Sequence, residues 1–281
     1  MTELKHTFKT DILFKLLFTK HPKLLKHLVA QLLRIPLESI EYFQIKNPEM
    51  PPEIMGKKFC RLDIHMTVNG QHVNLEVQVE NEGDYPERAL FHWARIYTNT
   101  LRKGERYSEL PRAIVISILA FTLFKDCKEF YSEFQALEVS RNTRLTDKMA
   151  LYFFELTKLP EHIHKDDLLL LWLALFKADT VEEMKRIEET GVPEMSEAVN
   201  AYNNVTTSAE FQEIERMQVK ASHDEAQALH HARLQEGEKW QKKIAKKDAV
   251  IADKDAAIVA KDAEIEALRK KLVEAQSGEA T

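Results

Sequence analysis

The part of the sequence that most constrains the fold is the stretch RLDIHMTVNGQHVNLEVQVE at residues 61–80. Apolar and polar side chains alternate on both sides of Asn69-Gly70, and this period of two predicts two β-strands that each bury one face. Asn-Gly is the preferred pair for a two-residue type I′ turn, so the strands should form an antiparallel hairpin. Pairing Val68 with Gln71 opposes apolar residues throughout, whereas a slip of one residue would break that match. The sequence therefore predicts both the hairpin and its register.

The same register places Asp63 directly opposite Glu76 on the polar face of the hairpin. Opposed side chains have Cβ atoms about 5 Å apart, and like charges at that distance destabilise a hairpin. One explanation is a solvent-exposed face, on which Arg61 or His65 neutralises the acids and no function is needed. The other is a divalent cation, because Mg²⁺ binds one or two carboxylates and takes its other ligands from water or phosphate. The hairpin alone leaves both explanations open.

Helical and extended patterns alternate through the rest of the first 205 residues. Thr10 is placed to cap a first helix, and Pro22 opens a second helix that ends near Arg34. The segments after the hairpin are predicted as a helix over 87–103, a strand buried on both faces over 113–121, a strand over 150–156, a buried helix over LLLLWLALF, and a helix with a capping box at Thr180 and Glu183. This part of the chain therefore combines strands with helices.

Composition and motifs disfavour several classes of protein. The chain has 281 residues, 44% of them hydrophobic, yet no apolar run approaches the ~20 residues that a membrane-spanning helix needs. The N-terminus has scattered charges and no secretory pattern, so we expect a cytoplasmic protein without a membrane partner. Two cysteines without C-x-x-C spacing exclude a zinc ribbon, and the seven glycines form no nucleotide-binding or serine-hydrolase motif.

The C-terminal part, from about residue 206, has the composition of a long helix. Apolar residues recur there every seven positions, at Ile244, Ile251, Ile258, Ile265 and Leu272. This period predicts a coiled coil and thus a homo-oligomer, although the companion core position holds Lys247, Lys254 and Lys261 before Leu268. A single solvated helix stabilised by ion pairs remains the alternative. We therefore expect two domains, residues 1–205 and a helical tail over 206–281.

Several motifs in the first part of the chain resemble one family. The hairpin acids followed by glutamine, as D-x12-E-x-Q after an N-terminal helix, resemble the core of PD-(D/E)XK nucleases. A longer series of motifs, in the same order, resembles the recombination-promoting nuclease and putative transposase family of that superfamily. The motifs are Asp11-Ile-Leu-Phe-Lys-Leu-Leu-Phe18, Arg61-Leu-Asp-Ile64, Leu75-Glu-Val-Gln78, Arg88, Tyr97, Gly104-Glu-Arg-Tyr107 and Ile114-Val-Ile-Ser-Ile-Leu119.

The resemblance implies an α/β, restriction-endonuclease-like fold, in which helices flank a mixed sheet and a long C-terminal helix or coiled coil follows. It implies a site in which Asp63 and Glu76 bind Mg²⁺ or Mn²⁺. Gln78 would stand where the superfamily usually has lysine; it can orient a water molecule but supplies no positive charge. Asp11 would be an accessory acid borne on the first helix.

DNA is the partner that the resemblance implies, and three basic side chains are candidates to contact it: Lys15, Arg61 and Arg88. The net charge is −5, but the first 58 residues carry ten Lys or Arg against six Asp or Glu. Two hypotheses follow. The first is a metal-dependent DNA endonuclease that takes part in recombination or transposition. The second is a catalytically silent protein that keeps the fold and binds DNA or assembles through its coiled coil.

Overall fold

A computed structural model of the chain describes residues 2–46, 64–100 and 106–278, with the side chains of Glu225 and of residues 272–278 excepted. The strands are β1 (Phe43–Ile45), β2 (Ile64–Val68), β3 (Gln71–Gln78), β4 (Ala113–Leu119), β5 (Tyr131–Phe134) and β6 (Met149–Glu155). The α-helices are α1 (Asp11–Lys20), α2 (Pro22–Leu33), α3 (Tyr85–Asn99), α4 (Leu168–Lys177), α5 (Val181–Glu188), α6 (Pro193–Thr206) and α7 (Ala209–Gly278).

The six described strands form one mixed sheet in the order β1-β2-β3-β4-β6-β5. Strands β3, β4 and β6 are parallel to one another, and the remaining pairs are antiparallel. Every residue of β4 is buried, because helices cover both faces of the sheet at its centre. The predicted α/β fold, with a mixed sheet flanked by helices and a long C-terminal helix, is confirmed.

The β2–β3 hairpin has the predicted register. Val68 pairs with Gln71, and Ile64 pairs with Leu75. The turn residues Asn69 and Gly70 have φ angles of 47° and 79°, the positive values that a type I′ turn requires. Asp63, which the same register would place opposite Glu76, lies outside the described residues, so that pairing stays a prediction.

The two faces of the sheet carry cores of unequal size. Alternate residues of β4 such as Ile116 belong to the larger core, which includes side chains of α1, α2, α4 and α6. The other residues of β4, Val115 and Leu119, contact α3 through Tyr85 and Ala89 in a smaller core. Burying each such aliphatic side chain stabilises the fold by about 1.5–3 kcal/mol. Helix α3 is thereby held against the face to which the polar residues of β3 also point.

Helix boundaries agree with the sequence predictions in most places. Helix α2 begins at Pro22 and is followed by Arg34 in a left-handed conformation, and the Thr180–Glu183 capping box of α5 is present. The prediction for Thr10 was wrong in detail, because its side chain makes no capping hydrogen bond to α1 and instead accepts one from the Thr7 amide.

Helix α3 begins earlier than predicted. It starts at Tyr85, ahead of Pro86 in its first turn, whereas the sequence analysis placed the start at Glu87. The proline is tolerated there because the first amides of a helix have no partner within the helix. The predicted end, at residue 103, lies outside the described residues. The early start brings Tyr85 into the helix, and its hydroxyl contacts Glu76.

Contacts divide the chain into two compact units, Met1–Val219 and Lys220–Thr281. The first turns of α7 belong to the first unit, since Phe211 and Ile214 are buried in its larger core. Within the described residues, no helix is both long enough and apolar enough to span a membrane.

Candidate active site

The polar face of β3 is buried beneath α3. Asn74 and Glu76 are only 2% and 5% exposed, and Gln78 lies half-buried at the end of the strand. The expectation of a solvent-exposed hairpin face, one of the two explanations for the acid pair, is therefore wrong for Glu76. A buried carboxylate is costly unless donors surround it, so its neighbours decide what it can do.

Three side chains contact the carboxylate of Glu76. Asn74 Nδ2 donates a hydrogen bond of 2.9 Å to Oε1, and the Tyr85 hydroxyl donates one of 3.2 Å to Oε2. His92 Nδ1 also contacts Oε1 and forms an ion pair with it when the imidazole is protonated. These contacts hold the carboxylate in one orientation. Preorganised groups of this kind are typical of catalytic and ligand-binding sites.

Gln78 lies next to a guanidinium group. Arg88 Nη2 donates a 2.9 Å hydrogen bond to Gln78 Oε1, and Gln78 Nε2 donates one of 3.0 Å to the carbonyl oxygen of Glu80. The Arg88 side chain is 12% exposed, and its Nη1 lies 3.7 Å from Glu82 Oε2. Its guanidinium also lies 5.3 Å from the centre of the Tyr85 ring. The site therefore contains a fixed positive charge, although the residue at the end of β3 is neutral.

Two polar atoms near the carboxylate lack hydrogen-bond partners within the described ranges. Arg88 Nε is one of them, and the hydroxyl of Ser117 is the other. Ser117 is fully buried, and its Cα pairs with that of Glu76 in the β3–β4 ladder, so both side chains point to the face that α3 covers. Unpaired buried polar atoms are costly and are often explained by function. Here they occur beside the candidate site.

Sequence analysis named Glu76, Gln78 and Arg88 as candidates but did not name Tyr85 and His92, which contact Glu76. Tyr85, Arg88 and His92 are three and seven residues apart along α3, a spacing that places them on one face of a helix. The sequence therefore shows a polar stripe on α3, which follows a strand with a polar face. The stripe predicts site residues only once the structure shows that it packs against the polar face of β3.

A histidine pair lies farther along the same face of the hairpin. His72 Nδ1 lies 3.3 Å from His65 Nε2. Burial, followed by the proximity of His72 and Lys46, lowers the pKa of His65 to about 4. His65 is therefore uncharged at neutral pH. One explanation of the hairpin acids assumed that His65 neutralises them, and an uncharged imidazole cannot do so.

We expect this pair to make the fold less stable in acid. In the unfolded chain, His65 binds a proton near its ordinary pKa of 6.5, whereas the folded chain resists protonation down to a pKa of about 4. This contribution to stability is complete above pH 6.5 and is lost as the pH falls toward 4. The free energy of unfolding, measured with urea, should fall less between pH 7.5 and pH 5 in His65→Gln than in the unmodified chain. The exposed His162→Gln is the control and should behave as the unmodified chain does. An equal fall in His65→Gln and the unmodified chain would contradict this account.

Comparison with known families shows which family the chain belongs to. The family model described as PD-(D/E)XK nuclease family transposase matches residues 8–232. The chain belongs to this family. The match includes all six described strands and the helix that covers Glu76, so the resemblance noted in the sequence is confirmed. No curated protein and no solved structure matches the chain. Membership supports a nuclease-type function with DNA as substrate.

PD-(D/E)XK nucleases typically use divalent metal ions, and the donors at this site are of the right chemical type. Glu76 offers a carboxylate, a hard ligand that Mg²⁺ accepts, whereas the amide oxygen of Gln78 accepts a hydrogen bond from Arg88. In the described ranges, however, no three His, Cys, Asp or Glu side chains are arranged to hold a metal ion. The hairpin register, continued by one residue, would bring Asp63 opposite Glu76 as a second carboxylate. The site therefore fits a cation only with the participation of Asp63.

The other predicted site residues lie on α1 or outside the described residues. Asp11 is exposed in the first turn of α1, whereas Lys15 on the same helix is 6% exposed. Helix α1 packs in the larger core, and the roles expected of Asp11 and Lys15 stay predictions. Arg61 and Asp63 lie outside the described residues. The structure thus brings together Glu76, Gln78 and Arg88.

Proposed function

We propose that this protein is a metal-dependent DNA endonuclease, and that its active site lies between β3 and α3. The observation that carries the proposal is the buried carboxylate of Glu76, which is held by Asn74, Tyr85 and His92. A carboxylate with no function is seldom buried among so many donors, since an apolar residue would avoid the cost of desolvation. Membership in the nuclease family supports cleavage of DNA as the reaction at this site.

Asp63 and Glu76 would hold the Mg²⁺ or Mn²⁺ ion. When bound, such an ion supplies Lewis-acid stabilisation of the phosphate and lowers the pKa of a coordinated water. The contacts of Asn74 and Tyr85 would keep Glu76 oriented toward the ion. The buried position also excludes bulk water, which strengthens electrostatic interactions in the site.

Arg88 would supply the charge that a lysine provides in most members of the superfamily. Gln78 Oε1 accepts from Arg88 Nη2, so the glutamine holds the guanidinium at the end of its own side chain. A guanidinium remains protonated and matches the geometry of phosphate oxygens. Gln78 would thus act by positioning Arg88 as well as by orienting the attacking water.

We also propose which residues contact DNA and how copies of the chain assemble. Lys15, Arg61 and Arg88 would contact phosphates, and Asp11 would be an accessory acid. The cleavage would promote recombination or transposition in the cytoplasm. We also propose that residues 1–205 form the nuclease domain with its helical extension, and that the tail over 206–281 joins copies into a homo-oligomer.

The competing proposal is a catalytically silent protein with the same fold that binds DNA or assembles other proteins. The neutral Gln78 and the net charge of −5 favour it, since a strongly DNA-binding surface is usually basic. It predicts no requirement for Glu76 or for a divalent ion.

The two proposals differ in plasmid nicking. Purified protein with Mg²⁺ or Mn²⁺ should convert supercoiled plasmid into nicked circles, and excess EDTA should abolish the conversion because the reaction needs the ion. Re-addition of the ion should restore nicking. Calorimetric titration with Mn²⁺ provides a second readout. No nicking with either ion, together with no Mn²⁺ binding, would overturn the endonuclease proposal in favour of the silent protein.

A further inference from the structure

Helix α7 carries a row of large apolar side chains in the unit Lys220–Thr281. Ile244, Ile251, Ile258 and Ile265 are 48–57% exposed, although they lie seven residues apart on one line of the helix. A repeat of seven keeps one seam of a slightly underwound helix facing a partner helix. Four half-exposed isoleucines in a row therefore suit a partner that also repeats every seven residues.

Charged residues flank this row with opposite sign on its two sides. Each of the first three isoleucines is followed by lysine three positions later and aspartate four positions later; the pairs are Lys247-Asp248, Lys254-Asp255 and Lys261-Asp262. A helix turns about 100° per residue, so the lysines lie about 60° to one side of the isoleucine line and the aspartates about 40° to the other. In the described part of α7, none of these six side chains forms an ion pair. Their charges are therefore available to a second helix.

The order of charges distinguishes a parallel from an antiparallel partner. When two copies pair in parallel about a two-fold axis along the helices, each lysine lies across the contact from the same lysine of the other copy and beside the aspartate that follows it there, so the acidic flank of each copy lies next to the basic flank of the other. When they pair antiparallel, acidic meets acidic and basic meets basic. Opposite charges on facing helices stabilise a coiled coil and like charges destabilise it, so the tail complements a parallel copy of itself.

Two charge pairs between the copies specify the register. In a parallel coiled coil, the residue before each isoleucine faces the residue five positions later in the second copy. Lys243 then faces Asp248 of the second copy, and Glu264 faces Arg269 of the second copy. The sign of the pair is reversed between the two ends of the row. A shift by three heptads would therefore bring Lys243 against Arg269, and the in-register alignment is the one that satisfies both ends.

We infer that α7 pairs with α7 of a second copy of the chain as a parallel, in-register coiled coil, with the isoleucine row at the contact. The lysines at the companion core position keep their methylene stems against this row, while their amino groups reach the aspartates of the other copy. The inference rests on the self-association proposed above and adds its orientation. Both tails then begin at the same end of the pair.

Single cysteines in the full-length chain test the orientation. In a background with Cys60→Ser and Cys127→Ser, whose melting temperature is checked first, Lys247→Cys and Lys261→Cys are made separately. Under mild oxidation, each variant should form disulfide-linked dimers with itself. A mixture of the two, distinguished by tags of different size, should form few mixed dimers between positions 247 and 261. Ala249→Cys, which lies on the side of the helix away from the isoleucine row, is the matched control.

The results distinguish three claims: the parallel orientation of the tails, self-association of the chain, and nuclease activity. Abundant mixed dimers between positions 247 and 261 would overturn the parallel orientation while leaving self-association intact. A monomeric mass for the unmodified chain in sedimentation equilibrium would overturn both. Neither result bears on the proposed active site, since plasmid nicking is measured independently.

Charge exchange gives a second test that needs no cysteines. Changing Asp248, Asp255 and Asp262 together to lysine makes both flanks basic, and we expect self-association to weaken at least tenfold. Changing Lys247, Lys254 and Lys261 together to aspartate makes both flanks acidic and should weaken it similarly. Mixing the two triple variants should restore dimers, because each then meets an opposite flank. Undiminished self-association of both triple variants would overturn the proposed charge pairing.

Discussion

Glu76→Gln is expected to reduce plasmid nicking by at least about 100-fold, the scale seen when a single preorganised group that stabilises a transition state is removed. The substitution keeps the size of the side chain and most of its hydrogen bonds but removes the negative charge that would hold the metal ion. His92 and Tyr85 would then surround a neutral amide. Initial rates with supercoiled plasmid at saturating Mn²⁺ measure the effect, and calorimetry should show weaker Mn²⁺ binding in the same variant.

Glu80→Gln is the matched control for this experiment. Glu80 is exposed just beyond the end of β3, and its main-chain oxygen, which accepts from Gln78, is unchanged by the substitution. It should retain nearly full activity. The melting temperature of Glu76→Gln must stay close to that of the unmodified chain for the comparison to hold. Full nicking activity in a folded Glu76→Gln protein would rule out this carboxylate as part of the active site. Asp63→Asn should behave as Glu76→Gln does, since the two acids are proposed to hold the same ion.

Arg88→Gln is expected to lower the turnover rate by about 100-fold, with a much smaller change in apparent KM. The reason is that the guanidinium is proposed to stabilise charge that develops on the phosphate during cleavage, rather than to bind DNA in general. Arg95→Gln is the control, because Arg95 lies on the same helix but is exposed. Steady-state nicking rates over a range of plasmid concentrations separate the two kinetic parameters.

A double variant makes this prediction specific to the Gln78–Arg88 pair. Gln78→Lys combined with Arg88→Gln restores a positive charge at the end of β3. The charge is then carried by a side chain of the strand instead of one of α3. The double variant should nick plasmid at least tenfold faster than Arg88→Gln. By contrast, Gln78→Lys alone would bring two cations together and should weaken activity. If Arg88→Gln keeps normal turnover, or if Arg95→Gln is equally impaired, Arg88 does not have the role of the superfamily lysine.

These experiments also decide between the nuclease and the silent protein. Loss of nicking in Glu76→Gln and Arg88→Gln, with activity kept in Glu80→Gln and Arg95→Gln, would locate the chemistry between β3 and α3. A protein that binds DNA without cleaving it would show no such contrast. The site is compact enough for four single substitutions to test it, because α3 supplies the guanidinium and two of the contacts to the carboxylate.

Local patterns in the sequence predicted much of the fold. The alternation around Asn69-Gly70 gave the hairpin and its register, because side-chain direction in a strand and the preferences of a two-residue turn depend on near neighbours. The same holds for the capping box of α5 and for the fully buried strand β4. Family resemblance, which depends on the order of short motifs, gave Glu76, Gln78 and Arg88 as candidate site residues, and the family itself is confirmed.

The chain by itself therefore determined four of the six described strands, most helices, the hairpin register and the family. Only the tertiary structure decided that the polar face of β3 is buried, that Tyr85 and His92 contact Glu76, and that Arg88 lies against Gln78. The physical reason is that these contacts depend on where α3 docks. That position is set by the packing of Tyr85 and Ala89 against Val115 and Leu119, residues about 30 positions away in the chain. Periodicity within a segment shows that a helix has a polar stripe, but packing between distant segments decides what the stripe meets.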